Sequence, residues 1–134
     1  MATDPDELER IAAFRAELRR FVLRSNSVAS QAGLSPQRYD LLLMLKAAGE
    51  ARVTELCDLL QLQQTAVTQL VKRTEEAGLI ERRASEADGR VWLLRLTAAG
   101  EALLAQVVSA GRGEVGLLSE ALHEVDARLR SVTP

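Results

Sequence analysis

The chain has 134 residues, of which 47% are apolar, so it is long enough to form one domain around a buried core. It has no apolar run near the ~18–20 residues that cross a bilayer, and its acidic start, with Asp4, Asp6 and Glu7, is unlike a signal peptide, so we expect a cytoplasmic protein. The net charge of −2 argues mildly against nucleic-acid binding, and the single cysteine rules out an intramolecular disulfide framework.

A long amphipathic helix is predicted first, from about Pro5 to Gln31. Asp4 and Pro5 suit its start, and apolar residues recur along it at intervals of three and four. These residues are Leu8, Ile11, Phe14, Leu18, Phe21 and Val22. We expect the helix to end at Ala32-Gly33, because glycine readily adopts the left-handed conformation of a helix end.

A second helix is predicted to begin at Ser35-Pro36, with serine as the N-cap and proline in the first turn, and to end at Gly49. Its buried face is expected to consist of Leu41, Leu42, Met44 and Leu45. Arg52-Val53 is then predicted to form a brief strand.

Two short helices follow, at about residues 54–61 and 64–77, with Gln61-Leu62-Gln63 as the turn between them. The residues predicted to face inward are Leu56, Leu59 and Leu60 in the first helix and Val67, Leu70 and Val71 in the second. The residues predicted to face outward on the second helix are Gln64, Thr65, Thr68, Gln69 and Lys72.

The outward face of the second short helix has the chemistry of base recognition. Glutamine can hydrogen-bond an adenine edge at two points, and threonine can contact bases or phosphates. Lys72 and Arg73 are better placed for phosphates. The alternative is an ordinary solvated polar face.

A two-stranded ribbon is predicted next. Ala77-Gly78 ends the helix, the polar stretch 85–90 forms a turn, and the apolar run 91–94 forms the second strand, with Trp92 packed under the ribbon beside Leu94 and Leu96. The ribbon carries four arginines, Arg82, Arg83, Arg90 and Arg95. Asp88 and Arg90 are two residues apart, so the carboxylate is expected to orient the guanidinium, with Gly89 supplying backbone freedom. The alternative is a surface ion pair of little consequence.

The last part of the chain is predicted to be helical again, with a break near Gly111, Gly113 and Gly116. The apolar residues of these helices are Leu103, Leu104, Val107, Val108, Leu117, Leu118, Leu122, Val125 and Leu129. The first and last helices have more apolar surface than the middle of the chain needs, so a partner chain is expected. The alternative is a monomeric helical core.

The order helix, turn, helix, ribbon is that of a winged helix-turn-helix. The motif Asp88-Gly89-Arg90, followed after six residues by Thr97-Ala98-Ala99-Gly100, resembles the wing signature of MarR-type transcription regulators. The stretches 62–73 and 76–80 are similar to that family's recognition helix and its junction with the wing. Thr74 departs from the pattern, since relatives usually have an apolar residue there, and relatives commonly have a basic residue in place of Gly89.

The resemblance implies a mainly α fold with a small β-wing: a winged helix-turn-helix at residues 34–97, flanked by dimerisation helices at 5–32 and 98–132, within one domain of residues 1–134. It implies a homodimer that binds pseudo-palindromic double-stranded DNA, most often as a repressor released by a small-molecule effector. The residues expected to contact DNA are Gln64, Thr65, Thr68, Gln69, Lys72, Arg73, Asp88 and Arg90. The residues expected to line an effector pocket are Phe14, Phe21, Arg24 and Tyr39.

Two other functions stay open: a winged helix that binds proteins, and a DNA-binding regulator without an effector. Cys57 is expected to be a packed residue in a helix rather than a redox sensor, and His123 a solvated surface residue rather than a metal ligand. No cofactor, metal site or membrane association is predicted. The chain lacks a phosphate-binding loop, a ligand cluster and a second histidine, so an enzyme is not expected.

Overall fold

The computed structural model describes residues 2–132 and is mainly α-helical, with one small antiparallel sheet, as the sequence predicts. The elements in this part of the chain are α1 (Pro5–Gln31), α2 (Pro36–Ala48), α3 (Val53–Leu60), α4 (Gln64–Glu76), β1 (Ile80–Ala84), β2 (Trp92–Leu96), α5 (Ala98–Ala110) and α6 (Glu114–Val132). Between residues 2 and 132, no helix combines the length and the apolar character that crossing a membrane requires.

The chain divides into two compact units. The head unit runs from Ala29 to Ser109, and the outer unit consists of the chain up to Val28 and from Ala110 onward. Each unit is described by itself below.

The start of the head unit is determined by helix-capping residues. Gly33 has a φ of 83° and ends α1, while the amide of Leu34 donates to the carbonyl of Ala29 at 2.9 Å. Ser35 then caps α2 by accepting a 3.2 Å hydrogen bond from the amide of Arg38, and Gly49, with a φ of 82°, ends that helix. The predicted boundaries of α1 and α2 are confirmed.

The core of the head unit is formed mainly by α2, on which α3, α4 and β2 pack. Leu41, Leu42 and Leu45 are fully buried, as predicted, whereas Met44 is half-buried. In α3 only Leu56 is buried. The prediction that Leu59 faces inward is wrong, because a helix of eight residues presents one narrow stripe to the core and Leu59 lies outside it.

The sheet of the head unit pairs β1 with β2 in antiparallel register, from Ile80 opposite Leu96 to Ala84 opposite Trp92. The brief strand predicted at Arg52-Val53 is instead a single bridge one residue earlier. Ala51 exchanges two backbone hydrogen bonds with Leu94, at 3.0 and 2.8 Å. Residues 52 and 53 are not in the bridge because Arg52 is already the N-cap of α3.

Thr97 joins the end of α4 to the start of α5. Its hydroxyl donates to the carbonyl of Gly78 at 2.6 Å and accepts from the amide of Gly100 at 3.1 Å. Its own amide donates to the carbonyl of Leu79 at 3.0 Å. A Cβ atom at Gly100 would lie 2.0 Å from the oxygen of Leu79, so only glycine fits there. The Thr-x-x-Gly motif is therefore explained by this junction: the threonine hydroxyl bridges the two segments, and the glycine lets their backbones lie in contact.

The outer unit has much less buried apolar surface. Its large apolar residues that are exposed are Leu8, Ile11, Leu18, Val22, Leu23, Val115 and Leu117. Arg10 on α1 forms an ion pair with Asp126 on α6 at 2.6 Å, and Arg130 holds the other oxygen of the same carboxylate at 2.9 Å. The predicted glycine break lies at residues 111–113, with Gly113 at a φ of 90°.

Two details at this end of the chain differ from prediction. Gly116 lies within α6 rather than in the break, and Val108 of α5 is exposed although Leu104 and Val107 beside it are buried. Val108 follows Val107 by one residue, so it lies about 100° further round the helix and leaves the buried stripe. The predicted single domain includes residues 1, 133 and 134, which lie outside the described residues.

Candidate nucleic-acid interface

The helix-turn-helix is formed by α3, a three-residue turn and α4. Gln61 adopts the left-handed conformation, with φ 54° and ψ 46°, and so ends α3. The amide of Leu62 donates to the carbonyl of Cys57 at 3.2 Å, and Gln63 is the extended N-cap of α4. Unlike Ser35 of α2, Gln63 forms no side-chain hydrogen bond that caps its helix, so the first amides of α4 keep free donors.

The inner face of α4 packs on the core and holds the helix in place. Val67, Leu70 and Val71 are buried, which confirms the prediction. Thr74 is fully buried as well, and its hydroxyl donates to the carbonyl of Leu70 at 2.7 Å. This departure from the family pattern therefore leaves no unpaired polar group in the core.

The outer face of α4 is polar and exposed, which confirms that its predicted residues face outward. Four of them line a shallow open depression: Gln64, Thr65, Thr68 and Gln69. Lys72 and Arg73 are exposed at the other end of the helix, and neither forms an ion pair within residues 2–132. Along one helix, the surface thus offers side-chain amides that can both donate and accept a hydrogen bond, hydroxyl groups and unpaired cations.

Three of the four arginines on the ribbon form ion pairs with carboxylates and are not free cations. Arg82 forms a two-point pair with Glu75 of α4 and Arg95 pairs across the sheet with Glu81 at 2.9 Å. Glu75 also raises the pKa of the Arg82 guanidinium through these hydrogen bonds. The pair between Glu81 and Arg95 could have been predicted from the sequence, because the register of the hairpin places the two residues opposite each other.

Arg83 forms the third pair and connects β1 to a distant part of the head unit. Its guanidinium donates to both oxygens of Glu50, with N–O distances of 2.6 to 3.0 Å, and the pair is partly buried. Glu50 lies 33 residues earlier in the chain, so sequence reasoning missed it. Arg82 and Arg83 project to opposite faces of the ribbon, and the two pairs attach its base to the head unit on both faces.

The turn at the tip of the ribbon differs in detail from the prediction. Asp88 accepts a 3.0 Å hydrogen bond from the backbone amide of Arg90, not from its guanidinium. The two residues lie in a turn rather than on paired strands, so the two-residue periodicity of a strand does not apply. Gly89 does not have a positive φ, so glycine is not required there. The guanidinium of Arg90 is exposed and has no carboxylate partner in the described chain.

Trp92 is not packed under the ribbon, and that prediction is wrong. The side chain is 52% exposed, although Leu94 and Leu96 on the same strand face are buried. Strand alternation correctly assigns the three residues to one face. Trp92 lies two residues nearer the tip, opposite the small side chain of Ala84, where the core has ended.

The residues predicted for an effector pocket are distributed over both units. Phe14, Phe21 and Arg24 belong to the outer unit and Tyr39 to the head unit, so the pocket stays a prediction. Arg10 lies over the ring of Phe14, 5.8 Å from its centroid. Cys57 is half-buried in α3. His123 has Nδ1 2.7 Å from the carbonyl oxygen of Ser119, and residues 2–132 contain no group of three His, Cys, Asp or Glu side chains that could hold a metal ion.

Comparison with known proteins adds three kinds of similarity. A MarR family model matches residues 32–91. The chain is similar to an uncharacterised HTH-type transcriptional regulator, YdgJ of Bacillus subtilis, with 31% identity over 98 residues. This match spans 73% of the chain but 58% of the length of that relative.

The fold is similar to that of RV1404 from Mycobacterium tuberculosis, with a TM-score of 0.75 and 26% identity over 89% of this chain and 82% of the other. It is also similar to a mutant of E. coli MarR, solved as a complex with operator DNA, with a TM-score of 0.71 and 20% identity over 90% of each chain.

Proposed function

We propose that the chain is a MarR-type winged-helix protein and that it acts as a sequence-specific, DNA-binding regulator of transcription. The observation that carries this proposal is the exposed face of α4. There Gln64, Thr65, Thr68 and Gln69 line one depression next to the unpaired cations Lys72 and Arg73. This combination fits the edges of bases in a major groove with phosphates on either side.

The contacts divide by chemistry. Gln64 and Gln69 read base edges, and the amides at the uncapped start of α4 donate hydrogen bonds to a phosphate. Arg90 extends from the ribbon tip toward the adjacent minor groove, where the potential is most negative, and Asp88 positions the backbone from which it extends. The paired arginines Arg82, Arg83 and Arg95 hold the wing in place rather than contribute free charge.

We further propose a homodimer, formed by the helices at residues 5–32 and 98–132, that carries two winged units of residues 34–97. The exposed apolar residues of the outer unit support this, because such surface is costly in water and is typical of a subunit interface. A two-fold dimer matches a pseudo-palindromic site whose halves lie about 34 Å apart. The mutant E. coli MarR, which has a similar fold and was solved with operator DNA, supports the DNA-binding part of the proposal.

The finer parts of the proposal concern control. The protein acts in the cytoplasm as a repressor and has no catalytic activity, and a small-molecule effector releases it from DNA. Phe14, Phe21, Arg24 and Tyr39 are the residues proposed to bind the effector. A regulator without an effector is the alternative, and DNA binding that no small molecule alters would favour it.

The decisive experiment selects bound fragments from the DNA of the source genome and then titrates a recovered duplex against salt. Within residues 2–132, the proposed interface of each chain offers three unpaired cations, Lys72, Arg73 and Arg90, so a dimer neutralises about six phosphates. The slope of log affinity against log salt concentration is then expected to be roughly −5. A Lys72→Gln variant should flatten the slope by about 2 per dimer. Arg95→Gln is the matched control, because Arg95 is already paired with Glu81 and should change the slope little. If no duplex is recovered and none binds with salt dependence, the protein-binding winged helix is the better function.

A further inference from the structure

Trp92 is the feature of the head unit that neither the core nor the proposed base-reading residues explain. It is the only tryptophan of the chain, and its side chain is 52% exposed at the outer end of β2. Its ring nitrogen has no hydrogen-bond partner in the described residues. A half-exposed indole offers an apolar ring and a hydrogen-bond donor to a partner outside the chain.

The surroundings of Trp92 indicate which kind of partner. Residues directly opposite each other on paired strands share a face, so Trp92 lies on the same ribbon face as Ala84 and, two pairs nearer the base, Arg82 and Leu94. Arg82 on that face is bonded to Glu75 of α4. Trp92 therefore lies on the ribbon face that looks toward α4, beyond the point where ribbon and helix are in contact.

The free cations near this position are Arg90, two residues away at the turn, and Lys72 and Arg73 on α4. Glu75 is neutralised by Arg82, and Asp88 of the turn accepts the amide of Arg90. Glu86 of the same turn forms no pair within residues 2–132, so the position of Trp92 between the free cations, rather than an excess of positive charge, indicates the partner. An apolar ring with a free N–H donor, flanked by free cations, is complementary to a deoxyribose and its phosphate.

We propose that Trp92 packs on the sugar–phosphate backbone of double-stranded DNA. The DNA strand that it contacts separates the major groove, which α4 reads, from the minor groove, which the ribbon tip enters. The ring covers a sugar and the N–H donates to a phosphate oxygen. Trp92 is thus a positioning contact that acts equally on all sequences. This inference rests on the proposed DNA-binding function.

The single tryptophan makes the test direct, because its fluorescence reports this position alone. The full chain is titrated with a labelled duplex of about 30 base pairs recovered from the genome, and with a scrambled duplex of the same composition. Label anisotropy measures binding, while tryptophan emission and its quenching by acrylamide measure coverage of the indole. We expect the emission to change and the quenching to fall as the anisotropy rises.

Substitutions at Trp92 measure how much the contact contributes to DNA affinity, which the fluorescence experiment does not. Trp92→Ala should weaken binding about 10-fold on both duplexes and leave the ratio of the two affinities unchanged. Trp92→Phe, which keeps a ring but lacks the N–H, should lose less. Leu93→Ala is the matched control, because Leu93 lies on the other ribbon face, and it should bind like the wild type. Circular dichroism of each variant confirms that the head unit is folded.

The outcomes distinguish the two proposals. If the wild type binds the duplex but its quenching is unchanged and Trp92→Ala binds as tightly, the Trp92 contact is wrong and the DNA-binding function stands. A loss confined to the recovered duplex would also overturn it, because Trp92 would then read bases. If the quenching falls with protein concentration alone, the indole is covered by a protein surface. Failure of the wild type to bind either duplex refutes both proposals.

Discussion

The head unit and the outer unit use apolar residues in opposite ways. Of the sixteen buried apolar residues in the described chain, fifteen lie between Ala29 and Ser109, and only Val125 lies in the outer unit. Of the ten large apolar residues that are exposed, seven belong to the outer unit. The head unit therefore has a complete core of its own, whereas the outer unit has apolar surface that a second chain can cover.

The largest expected effect comes from a methyl group placed inside the head unit. Gly100→Ala puts a Cβ atom 2.0 Å from the backbone oxygen of Leu79, and backbone cannot yield as a side-chain end can. We expect a loss of about 3 kcal/mol in the free energy of unfolding, measured by urea denaturation. Gly116→Ala in α6 meets no atom within 4 Å and should instead raise stability by up to about 1 kcal/mol. Equal effects of the two substitutions would contradict the contrast.

The next largest effect concerns the subunit interface. Leu18 on α1 and Leu59 on α3 are each 46% exposed, so they differ in unit but not in exposure. Leu18→Glu should weaken the proposed dimer by ~100-fold or more, because a charge would be buried without a partner in each subunit. Leu59→Glu should leave the dimer intact. Light scattering at micromolar concentration measures both, and a Leu18→Glu protein that remains dimeric would exclude this face of α1 from the interface.

Within the head unit, substitutions in α4 and at the ribbon tip are expected to change DNA binding in different ways. Gln69→Ala should relax the preference at particular base pairs by ~1–3 kcal/mol. Arg90→Ala should weaken binding to every duplex and flatten the salt dependence by about 1 per chain. Asp88→Ala should resemble it more weakly, because the backbone of Arg90 loses its hydrogen bond. Unchanged affinity of Arg90→Ala at every salt concentration would remove the ribbon tip from the DNA interface.

A smaller effect is expected at Cys57, which is half-buried in α3. Cys57→Ser should cost about 1 kcal/mol or less of stability. DNA binding, and any response of that binding to peroxide, should be the same as in the wild type, because the thiol is packed in a helix and has no cationic residue beside it in the sequence to activate it. Electrophoretic mobility shift with and without peroxide tests this. Peroxide-dependent release in the wild type alone would make the thiol a sensor.

The smallest effect is at the start of α3. Glu55 accepts hydrogen bonds from the amide and the guanidinium of Arg52, at 3.2 and 2.9 Å, and these lower its pKa below the ordinary value of a glutamate. A carboxylate with a lowered folded-state pKa stabilises the fold above its unfolded-state pKa, and this is lost as the pH falls through the folded-state value. Glu55→Gln should therefore cost less than about 1 kcal/mol near pH 7, and the difference from the wild type should vanish in acid. Glu86→Gln is the control, since Glu86 forms no pair in the described chain, and a pH-independent difference at Glu55 would contradict the expectation.

Local signals predicted most of the fold. Ser35, Pro36, Gly33 and Gly49 set the ends of α1 and α2 through backbone conformation and capping, and these depend only on nearby residues. The alternation of β2 correctly placed Trp92, Leu94 and Leu96 on one face. It could not show where the core ends along that face, which is why the burial of Trp92 was wrong.

The candidate site was predictable in its residues but not in its charges. The outward face of α4 follows from helical periodicity alone. The partners of the ribbon arginines do not, because Glu50 and Glu75 meet Arg83 and Arg82 only after the chain has folded. The effective charge of the site is consequently set by tertiary contacts, and composition overstates it.

The hydroxyl of Thr97 has a mechanical consequence. It hydrogen-bonds Gly78, two residues after α4, and Gly100 in the first turn of α5, at 2.6 and 3.1 Å. At this junction the backbone of Gly100 lies directly against that of Leu79. The two helices are therefore mechanically coupled at this point. If α5 slides or rotates, either the end of α4 moves with it or these hydrogen bonds break. A displacement of α5 is therefore expected to reach the end of α4, the helix that we propose reads DNA, through the side chain of Thr97.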